Sequence, residues 1–404
     1  MFSEESIDKL IEPIVQRQEA ISNYAIEVIA KRVREIGEMK TSDIYKLQRL
    51  YMMGSDIRRI NKELARLTGL NERSIRRLIR IVAQDAYIDT KPYYDYRERP
   101  YVPFTENIEL QRAVNAIARQ TAEEYINLSK ARAFMIRDLK NPQVLKPTPL
   151  AKTYQAVLDE AVQAVQSGVV DYHTAMRRTM RQLNDSGIRY VQYDPESGRR
   201  YTQRLDTAVR RNLLDGVRQI NQAVQDITGQ QYGADGKEIS VHAMSAPDHE
   251  PVQGHQFTNE EWENLQNNRR SEDVNGVKFA AFKRRIGTYN CRHFAWSIIV
   301  GFTKPNYTPE QLQEFIDKNE RGYTLKNGKH LTLYECSQYQ RQLETKIRRA
   351  KDGQMMAKEC GDMDLARRYQ TEIDLYTKRY KSFSAACGLA PQMSKATVSG
   401  YKRL

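Results

Sequence analysis

The sequence predicts a mainly α-helical protein that contains a smaller α+β module. Three observations predict this class. Apolar residues recur at helical spacing through most of the 404 residues. Residues 228–305 instead carry glycines, turn residues and short β-prone runs. Two long amphipathic segments then follow at the end of the chain. We therefore expect a helical N-terminal region, an α+β module and a long C-terminal helical hairpin.

Residues 1–88 are predicted to form the N-terminal helical region, because apolar side chains such as Ile7, Ile11 and Ile14 fall on one helical face. The next segment, "DTKPYYDYRERPYVPF" (89–104), contains three prolines and four tyrosines. Proline removes a backbone donor and disfavours a continuous helix. We interpret residues 89–104 as an extended arm or linker.

Residues 105–227 are predicted to be helical with one short β-hairpin. Helical periodicity runs over 106–139, 150–167 and 171–187. Alternating residues on both sides of the turn sequence "DPESG" predict the hairpin near 189–203. A strongly amphipathic helix follows over 204–227, with Arg204, Arg210, Arg211 and Arg218 off its apolar face, which is typical of a core helix with basic flanks.

The α+β module is expected over 228–305, and residues 306–404 form the last segment. In that segment, Pro309 stands at a favourable first-turn position of a helix. Asn327-Gly328 predicts a tight β-hairpin. Two helices over about 332–358 and 363–386 then form an antiparallel hairpin that turns near "CGDMD".

The composition suggests an acidic partner. The net charge is +13, which favours nucleic acid first and an acidic protein surface second, although such a charge also serves solubility alone. The four cysteines lack CxxC spacing, so we expect no disulfide framework and a reducing compartment. The N-terminus has no signal-peptide core and "WSIIVGF" is too short to span a bilayer, which predicts synthesis in the cytosol without membrane insertion.

Histidines are gathered in one part of the chain. "VHAMSAPDHEPVQGHQF" (241–257) contains three of the six, His242, His249 and His255, and "NCRH" adds Cys291 and His293. Imidazole and thiolate are the ligands of zinc, so His242, His249, Cys291 and His293 are candidate metal ligands. Three alternatives stay open at this point: histidines that hydrogen-bond the backbone of a loop-rich fold, a structural zinc site, and a metal-dependent hydrolase built on His249, Cys291 and His293.

A second candidate site is the segment 57–80. Ala65, Gly69, Ile75 and Leu78 have the spacing of a helix-turn-helix. Eight basic residues against two acidic ones give this segment a net charge of +6 and make phosphate contact easy. These candidates for contact with nucleic acid or an acidic partner are Arg58, Arg59, Lys62, Arg66, Arg73, Arg76, Arg77 and Arg80. The alternatives are a DNA-binding protein and a plain helical pair with a solvated basic face.

Familiar enzyme motifs are missing from the sequence. It has no GxGxxG, no P-loop and no GxSxG in a strand-turn-helix context. An enzyme that acts on a small-molecule substrate is therefore not favoured, and no cofactor is expected beyond the candidate zinc.

Three stretches together carry a family resemblance. "YTQRLDTAVRRNLLDGVRQINQ", "SVHAMSAPDHEPVQGHQFT" and "GTYNCRHFAWSIIVGF" resemble, in this order, the tailed-phage minor capsid protein 2 family, which is related to the phage Mu F-like head morphogenesis proteins. The closing helices look like those of the same family. The resemblance covers roughly residues 190–390 and implies that 228–305 is a Mu F-like α+β domain.

The family pattern falls on named residues of this chain. It comprises Ser-x-His, Pro-x-His, Gln-Gly and Asn-Cys-Arg-His, which here are Ser240 and His242, Pro247 and His249, Gln253 and Gly254, and Asn290, Cys291, Arg292 and His293. One position departs from the pattern, because Ala246 stands where an arginine is expected before the proline. If that arginine bridges loops in the family, the bridge is missing or replaced here.

The resemblance implies a structural protein of the virion and not an enzyme. Such a protein is expected in few copies near the portal, inside the capsid, where it assists head morphogenesis and genome delivery. Its expected partners are the portal protein, other head proteins and packaged DNA, and neither a membrane nor a small-molecule substrate. It would be assembled in the cytoplasm of the bacterial host.

Overall fold

The protein is described here from a computed structural model. Its described residues are 4–37, 44–130, 132–137, 145–149, isolated positions within 152–184, 188–193, 200–242, 244–272, 278–282, 285–287, 291 and 293–404. Within them the chain is mainly helical with small antiparallel sheets, so the predicted fold class is confirmed. The described residues contain no helix that is both long and apolar enough to cross a bilayer.

Two compact units make up the chain, and each is assembled from three separate stretches. The first unit comprises residues 1–11, 73–124 and 211–339. The second comprises residues 12–72, 125–210 and 340–404. The five-segment division expected from the sequence remains a proposal.

The N-terminal region is helical, as predicted. Helix α1 spans Glu4–Gly37 and helix α2 spans Ile44–Ile88. The helix-turn-helix prediction is wrong, because Gly69 lies inside α2 and the chain makes no turn there. Ala65, expected where two helices cross, is exposed. A glycine costs about 1 kcal/mol inside a helix, and a row of buried apolar residues along one face of α2 offsets this cost.

The proline- and tyrosine-rich segment is not an extended arm. It contains a short helix α3, Lys91–Tyr96, with Pro92 in its first turn, where no backbone donor is needed. Tyr94 is buried, and its ring meets Tyr101 and Tyr232 edge-to-face at centroid distances of 5.3 and 5.4 Å. The prediction failed because these ring contacts hold the segment within the first unit, although most of its other residues are exposed.

Helix α4, Ile108–Lys130, is shorter than the predicted 106–139. The chain continues as strand β1, Arg132–Arg137, which the sequence analysis wrongly assigned to the helix. Together with the strands β2 (Leu145–Thr148), β3 (Ile188–Tyr193) and β4 (Arg200–Arg204), it forms an antiparallel sheet in the order β2-β1-β3-β4. The hairpin β3–β4 confirms the prediction near 189–203. The helices predicted over 150–167 and 171–187 lie largely outside the described residues.

The α+β module is built on helix α5, Leu205–Tyr232. This helix confirms the predicted amphipathic helix and extends five residues beyond its predicted end at 227. A three-stranded antiparallel sheet follows, in the order β6-β5-β9, with β5 at Gly236–Ile239, β6 at Gln256–Thr258 and β9 at Ala295–Ile298.

Short elements complete the module. Helix α6, Asn259–Gln266, begins with a capping box in which Thr258 and Glu261 satisfy each other's backbone N–H groups. Strands β7 (Ser271–Glu272) and β8 (Lys278–Phe279) form a separate pair. The core contains Ile239, Val252, Phe257, Trp262, Leu265, Phe279, Phe282, Ile286 and Ala295.

The C-terminal segment matches its prediction closely. Helix α7 spans Pro309–Arg321, and the strands β10 (Tyr323–Thr324) and β11 (His330–Leu331) form the expected hairpin. Helix α8 spans Leu333–Glu359, helix α9 spans Met363–Ala386, and a 3₁₀ turn covers Met393–Ala396.

Side-chain hydrogen bonds link the facing sides of α8 and α9. Gln340 bonds Ser384 at 2.8 Å, Tyr380 bonds Glu344 at 2.7 Å, and Gln354 bonds Gln370 at 2.7 Å. As the residue number rises in α8 the partner's number falls in α9, so the two helices are antiparallel, as predicted.

Candidate metal centre

The histidine cluster lies where the connection after β5 meets the beginning of β9. Ser240, the first residue after β5, joins these two places. Its backbone N–H donates to the carbonyl oxygen of Phe294 at 2.9 Å, and its Oγ accepts the N–H of Phe294 at 3.1 Å. Ser240 therefore holds the connection that carries His242 and His249 against the segment that carries Cys291 and His293.

A tight turn over 246–254 positions His249. The carbonyl oxygen of Ala246 accepts the N–H groups of His249 at 2.9 Å and Glu250 at 3.1 Å. The turn ends at Gly254, whose N–H donates to the carbonyl oxygen of Ile239 at 2.9 Å and whose φ is +75°. Glycine is required here, because a Cβ at this position would lie 2.4 Å from Leu312 Cδ2.

Three candidate ligands converge on one point. Cys291 Sγ lies 3.5 Å from His249 Nδ1 and 3.7 Å from His293 Nδ1. The ligand atoms of the three residues all lie within 4.8 Å of one another. The side chains are buried, with His249 1%, His293 4% and Cys291 5% exposed. The structure therefore forms a compact group with one sulfur and two nitrogen donors.

The far nitrogen of each imidazole faces an oxygen. His249 Nε2 lies 3.6 Å from a carboxylate oxygen of Asp248. His293 Nε2 lies 3.3 Å from Gln253 Oε1 and 3.4 Å from Ser245 Oγ. Gln253 Oε1 also accepts the backbone N–H of His242 at 3.0 Å, which identifies this atom as the amide oxygen. In the tautomer with the hydrogen on Nε2, each ring directs that hydrogen toward the oxygen it faces, and its Nδ1 presents a lone pair to the sulfur.

The surroundings of Cys291 favour its thiolate. Burial raises the pKa of a thiol, but hydrogen bonds from the backbone of Gly287 and from His249, when its Nδ1 carries the hydrogen, outweigh burial and lower the pKa of Cys291 below its usual value. Arg218 of α5 lies near enough for its charge to interact with Cys291. Burial of this guanidinium lowers the pKa of Arg218, and the charges of Asp215 and Cys291 oppose that effect.

The other predicted residues of this region have different positions. His242 is not a member of the three-residue group, although its ring centroid lies 4.6 Å from that of His293. Its Nε2 lies 3.3 Å from Ser240 Oγ. His255 packs on the ring of Phe279, with centroids 4.8 Å apart.

The family-pattern residues mostly serve the backbone around the cluster. Ser240, Gln253 and Gly254 make the contacts given above, and Pro247 is exposed at the start of the turn. Asn290 and Arg292 lie outside the described residues. Ala246 contributes its carbonyl oxygen to the turn, and an arginine side chain is not needed for that bond.

Two neighbours of the cluster were not identified from the sequence. Ser245 faces His293, and Arg218 faces Cys291 from a helix 73 residues before it. The only sequence signal for Ser245 is its place four residues before His249 in "SAPDH". Arg218 gave no signal, since one arginine on the flank of an amphipathic helix resembles any other.

The eight basic residues of α2 are all exposed, as a contact surface requires. Helix α2 contributes to both units, and each part of it carries four of these residues. Within each part the four lie on one side of the helix, within about 100° of arc at 3.6 residues per turn. The four in the first unit are Arg73, Arg76, Arg77 and Arg80, and the four in the second are Arg58, Arg59, Lys62 and Arg66. Arg66 forms an ion pair with Glu63 at 2.6 Å and Arg59 one with Asp56 at 3.5 Å.

A buried cluster of charges lies in the second unit. Arg204, interpreted from the sequence as a basic flank, is 3.1 Å from Asp206 and 3.0 Å from Asp352, and Arg348 also pairs with Asp206. Burial, with the charges of Asp352 and Asp206, raises the pKa of Glu19 to about 8. Burial opposes ionisation of Asp206 too, but the two arginines lower its pKa to about 2. This cluster keeps Glu19 protonated at neutral pH.

Comparison with known proteins gives one match. A family model described as phage minor capsid protein 2 matches residues 3–384. No curated protein and no solved structure matches the chain.

Proposed function

Because this chain belongs to the phage minor capsid protein 2 family, we propose that it acts inside the head, next to the portal of a tailed phage, in head morphogenesis and genome delivery. The family match establishes a structural protein of the phage head, located in the virion, that interacts with other head proteins. The single observation that carries the proposal is this match, which spans almost the whole chain.

Symmetry supports a position near the portal. A major shell protein occupies every equivalent position of a closed symmetric assembly. A component present in few copies instead fits a position that occurs once in the shell. The portal vertex is such a position in a tailed-phage head.

Charge supports a contact with packaged DNA. The net charge of +13 and the two exposed basic quartets of α2 provide cations for backbone phosphates, and each contact releases counterions from the DNA. Such binding reads no base sequence. It suits a protein that meets whatever part of the genome lies beside it.

Burial of the histidine cluster supports a non-enzymatic role. A hydrolytic metal site keeps a position open to substrate and water. His249, Cys291 and His293 are each at most 5% exposed. We infer that these residues serve the structure of the module and do not act on a substrate.

Quantitative mass spectrometry of purified virions and procapsids tests the location. We expect a few to some tens of copies of the chain per particle when its amount is quantified against the major capsid protein. We also expect chemical cross-links to the portal. Absence from both particles would refute the proposal. Presence with cross-links confined to the major shell protein would refute the portal position.

Charge reversal tests the contact with DNA. In the full chain, Arg73, Arg76, Arg77 and Arg80 are changed to Glu, and the affinity for duplex DNA is measured against salt concentration. Losing four phosphate contacts should weaken binding and reduce the slope of log affinity against log salt by about 3–4. The matched control reverses four exposed cations of α9, Arg368, Lys378, Arg379 and Lys381. Equal losses in both variants would show that binding follows total charge and not the α2 quartet.

A further inference from the structure

We propose that His249 Nδ1, Cys291 Sγ and His293 Nδ1 bind one Zn²⁺ ion, which fastens the 246–254 turn to the segment before β9. This inference concerns a metal site within the first unit and does not rest on the proposed function. It is carried by distances, by the orientation of both imidazoles and by the donor types.

The distances fit a tetrahedral site. Zinc lies about 2.3 Å from a thiolate sulfur and about 2.0–2.1 Å from an imidazole nitrogen, so two such ligands of a tetrahedron are about 3.6 Å apart. The two sulfur–nitrogen distances are 3.5 and 3.7 Å. Both sulfur–nitrogen distances therefore match the spacing that the ion requires, and all the ligand atoms lie within 4.8 Å of one another.

The imidazoles are oriented as metal ligands. A histidine that binds zinc through one nitrogen typically donates its other N–H to a carboxylate or carbonyl oxygen, which fixes the tautomer. Here Asp248 faces Nε2 of His249 and the amide oxygen of Gln253 faces Nε2 of His293, at 3.6 and 3.3 Å. Both Nδ1 atoms are thus left with a lone pair directed at the centre of the group.

A hydrogen bond donated by the Cys291 thiol can engage only one of the two imidazoles. A thiol has one hydrogen and can donate it to one of the two Nδ1 atoms. A zinc ion accepts lone pairs from both nitrogens and from the thiolate at the same time, and binding releases the thiol proton to solvent. The ion therefore accounts for two imidazole nitrogens beside one sulfur.

The donor set selects the metal. Thiolate and imidazole suit zinc, whereas calcium and magnesium take oxygen ligands. All four cysteines are free thiols, so Cys291 is available to bind. The three-residue group supplies the protein ligands of the site, and His242 lies outside it.

The ion would link parts of the chain that are distant in sequence. His249 and Cys291 are separated by 42 residues. The sheet pairs β5 with β6 and β9, but the 246–254 turn has no place in it. Zinc would thus add a second anchor to a turn that is tied to β5 only at its end, by the bond from Gly254 to Ile239.

Elemental analysis of the full chain, purified without a histidine tag and dialysed, is the first test. We expect close to one zinc per chain. Cys291→Ser, His249→Ala and His293→Ala should each lower the zinc affinity by at least the about 10–100-fold that loss of a supporting residue costs, so these variants should retain little zinc after dialysis. The matched control, His242→Ala, changes a neighbouring histidine outside the group and should retain full zinc.

A second measurement keeps the test decisive if a ligand variant fails to fold. The wild-type chain is stripped with a chelator and titrated with Co²⁺ alone, and a thiolate-to-metal charge-transfer band should grow to an end point at one equivalent. No band and no zinc in the wild-type chain would overturn the proposal. Loss of zinc in His242→Ala would overturn the three-residue assignment. Neither result bears on whether the protein is found in virions.

Discussion

Replacing Gly254 by alanine tests whether the turn beside the cluster is as constrained as its geometry implies. The residue has a φ of +75°, and an added Cβ would lie 2.4 Å from Leu312 Cδ2 and 2.9 Å from Val241 Cγ2. The left-handed conformation costs an alanine about 1–2 kcal/mol. Forcing a methyl group into a packed site costs about 1–3 kcal/mol more. We therefore expect Gly254→Ala to lower the free energy of unfolding by about 2–5 kcal/mol.

Gly301→Ala is the matched control. Gly301 has a similar φ of +79°, but a Cβ there would meet no atom within 4 Å. This variant should therefore show the conformational cost alone, about 1–2 kcal/mol. The difference between the two variants isolates the steric contribution of Leu312 and Val241.

Urea denaturation followed by tryptophan fluorescence is the appropriate assay. The chain has two tryptophans, Trp262 and Trp296, and both belong to the α+β module, so the signal reports the module itself. At about 1–3 kcal/mol per molar urea, Gly254→Ala should lower the midpoint by about 0.7 M or more. Equal midpoints for Gly254→Ala and Gly301→Ala would refute the steric argument.

Two further variants test the second unit by circular dichroism. Folding raises the pKa of Glu19 to about 8. The contribution of Glu19 to the free energy of unfolding is therefore full below about pH 4, falls as the pH rises and is lost above about pH 8. Glu19→Gln should therefore be more stable relative to wild type at pH 9 than at pH 5, and an unchanged difference would contradict the buried-acid interpretation. Tyr380→Phe removes the hydrogen bond that the hydroxyl donates to Glu344 at 2.7 Å and the one that it accepts from the backbone N–H of Gln392 at 2.8 Å. The free energy of unfolding should fall by about 1–3 kcal/mol. A change near zero would contradict the role of this hydroxyl.

The helical parts of this fold were predictable because their signals are local. The C-terminal pair α8 and α9 differs from its predicted bounds by one residue at each end of α8 and by none in α9. The hairpin at Asn327-Gly328 was predictable for the same reason, since Gly328 adopts a φ of +82° that the turn requires. Periodicity and turn residues are properties of neighbouring positions, and the sequence displays them directly.

The failed predictions depend on partners far along the chain. Strand β1 follows α4 almost without a break and is a strand because it pairs with β2 and β3, the latter more than 50 residues away. The 89–104 segment is ordered by rings such as Tyr232. Conversely, α2 runs through Gly69 because its buried face continues on both sides.

The candidate site was predictable as a list of residue types and not as a geometry. Rarity alone identified His242, His249, Cys291 and His293, and the structure gathers three of these four. The exclusion of His242 depends on where its ring turns, toward Ser240, which no spacing rule reports. The positions of the Asp248 and Gln253 side chains beside the imidazoles likewise depend on the fold of the turn.

The division of both units among three stretches has a consequence for synthesis on the ribosome. Residues 12–72 belong to a unit whose last stretch is 340–404, so this early helical material waits for almost the entire chain before its last partners exist. Domains that are continuous in sequence fold in order as they are made. This chain has no such option for either unit, because the first unit also needs residues up to 339. Partly made chains therefore expose apolar helix faces, and both units of a head protein of this design depend on nearly complete translation.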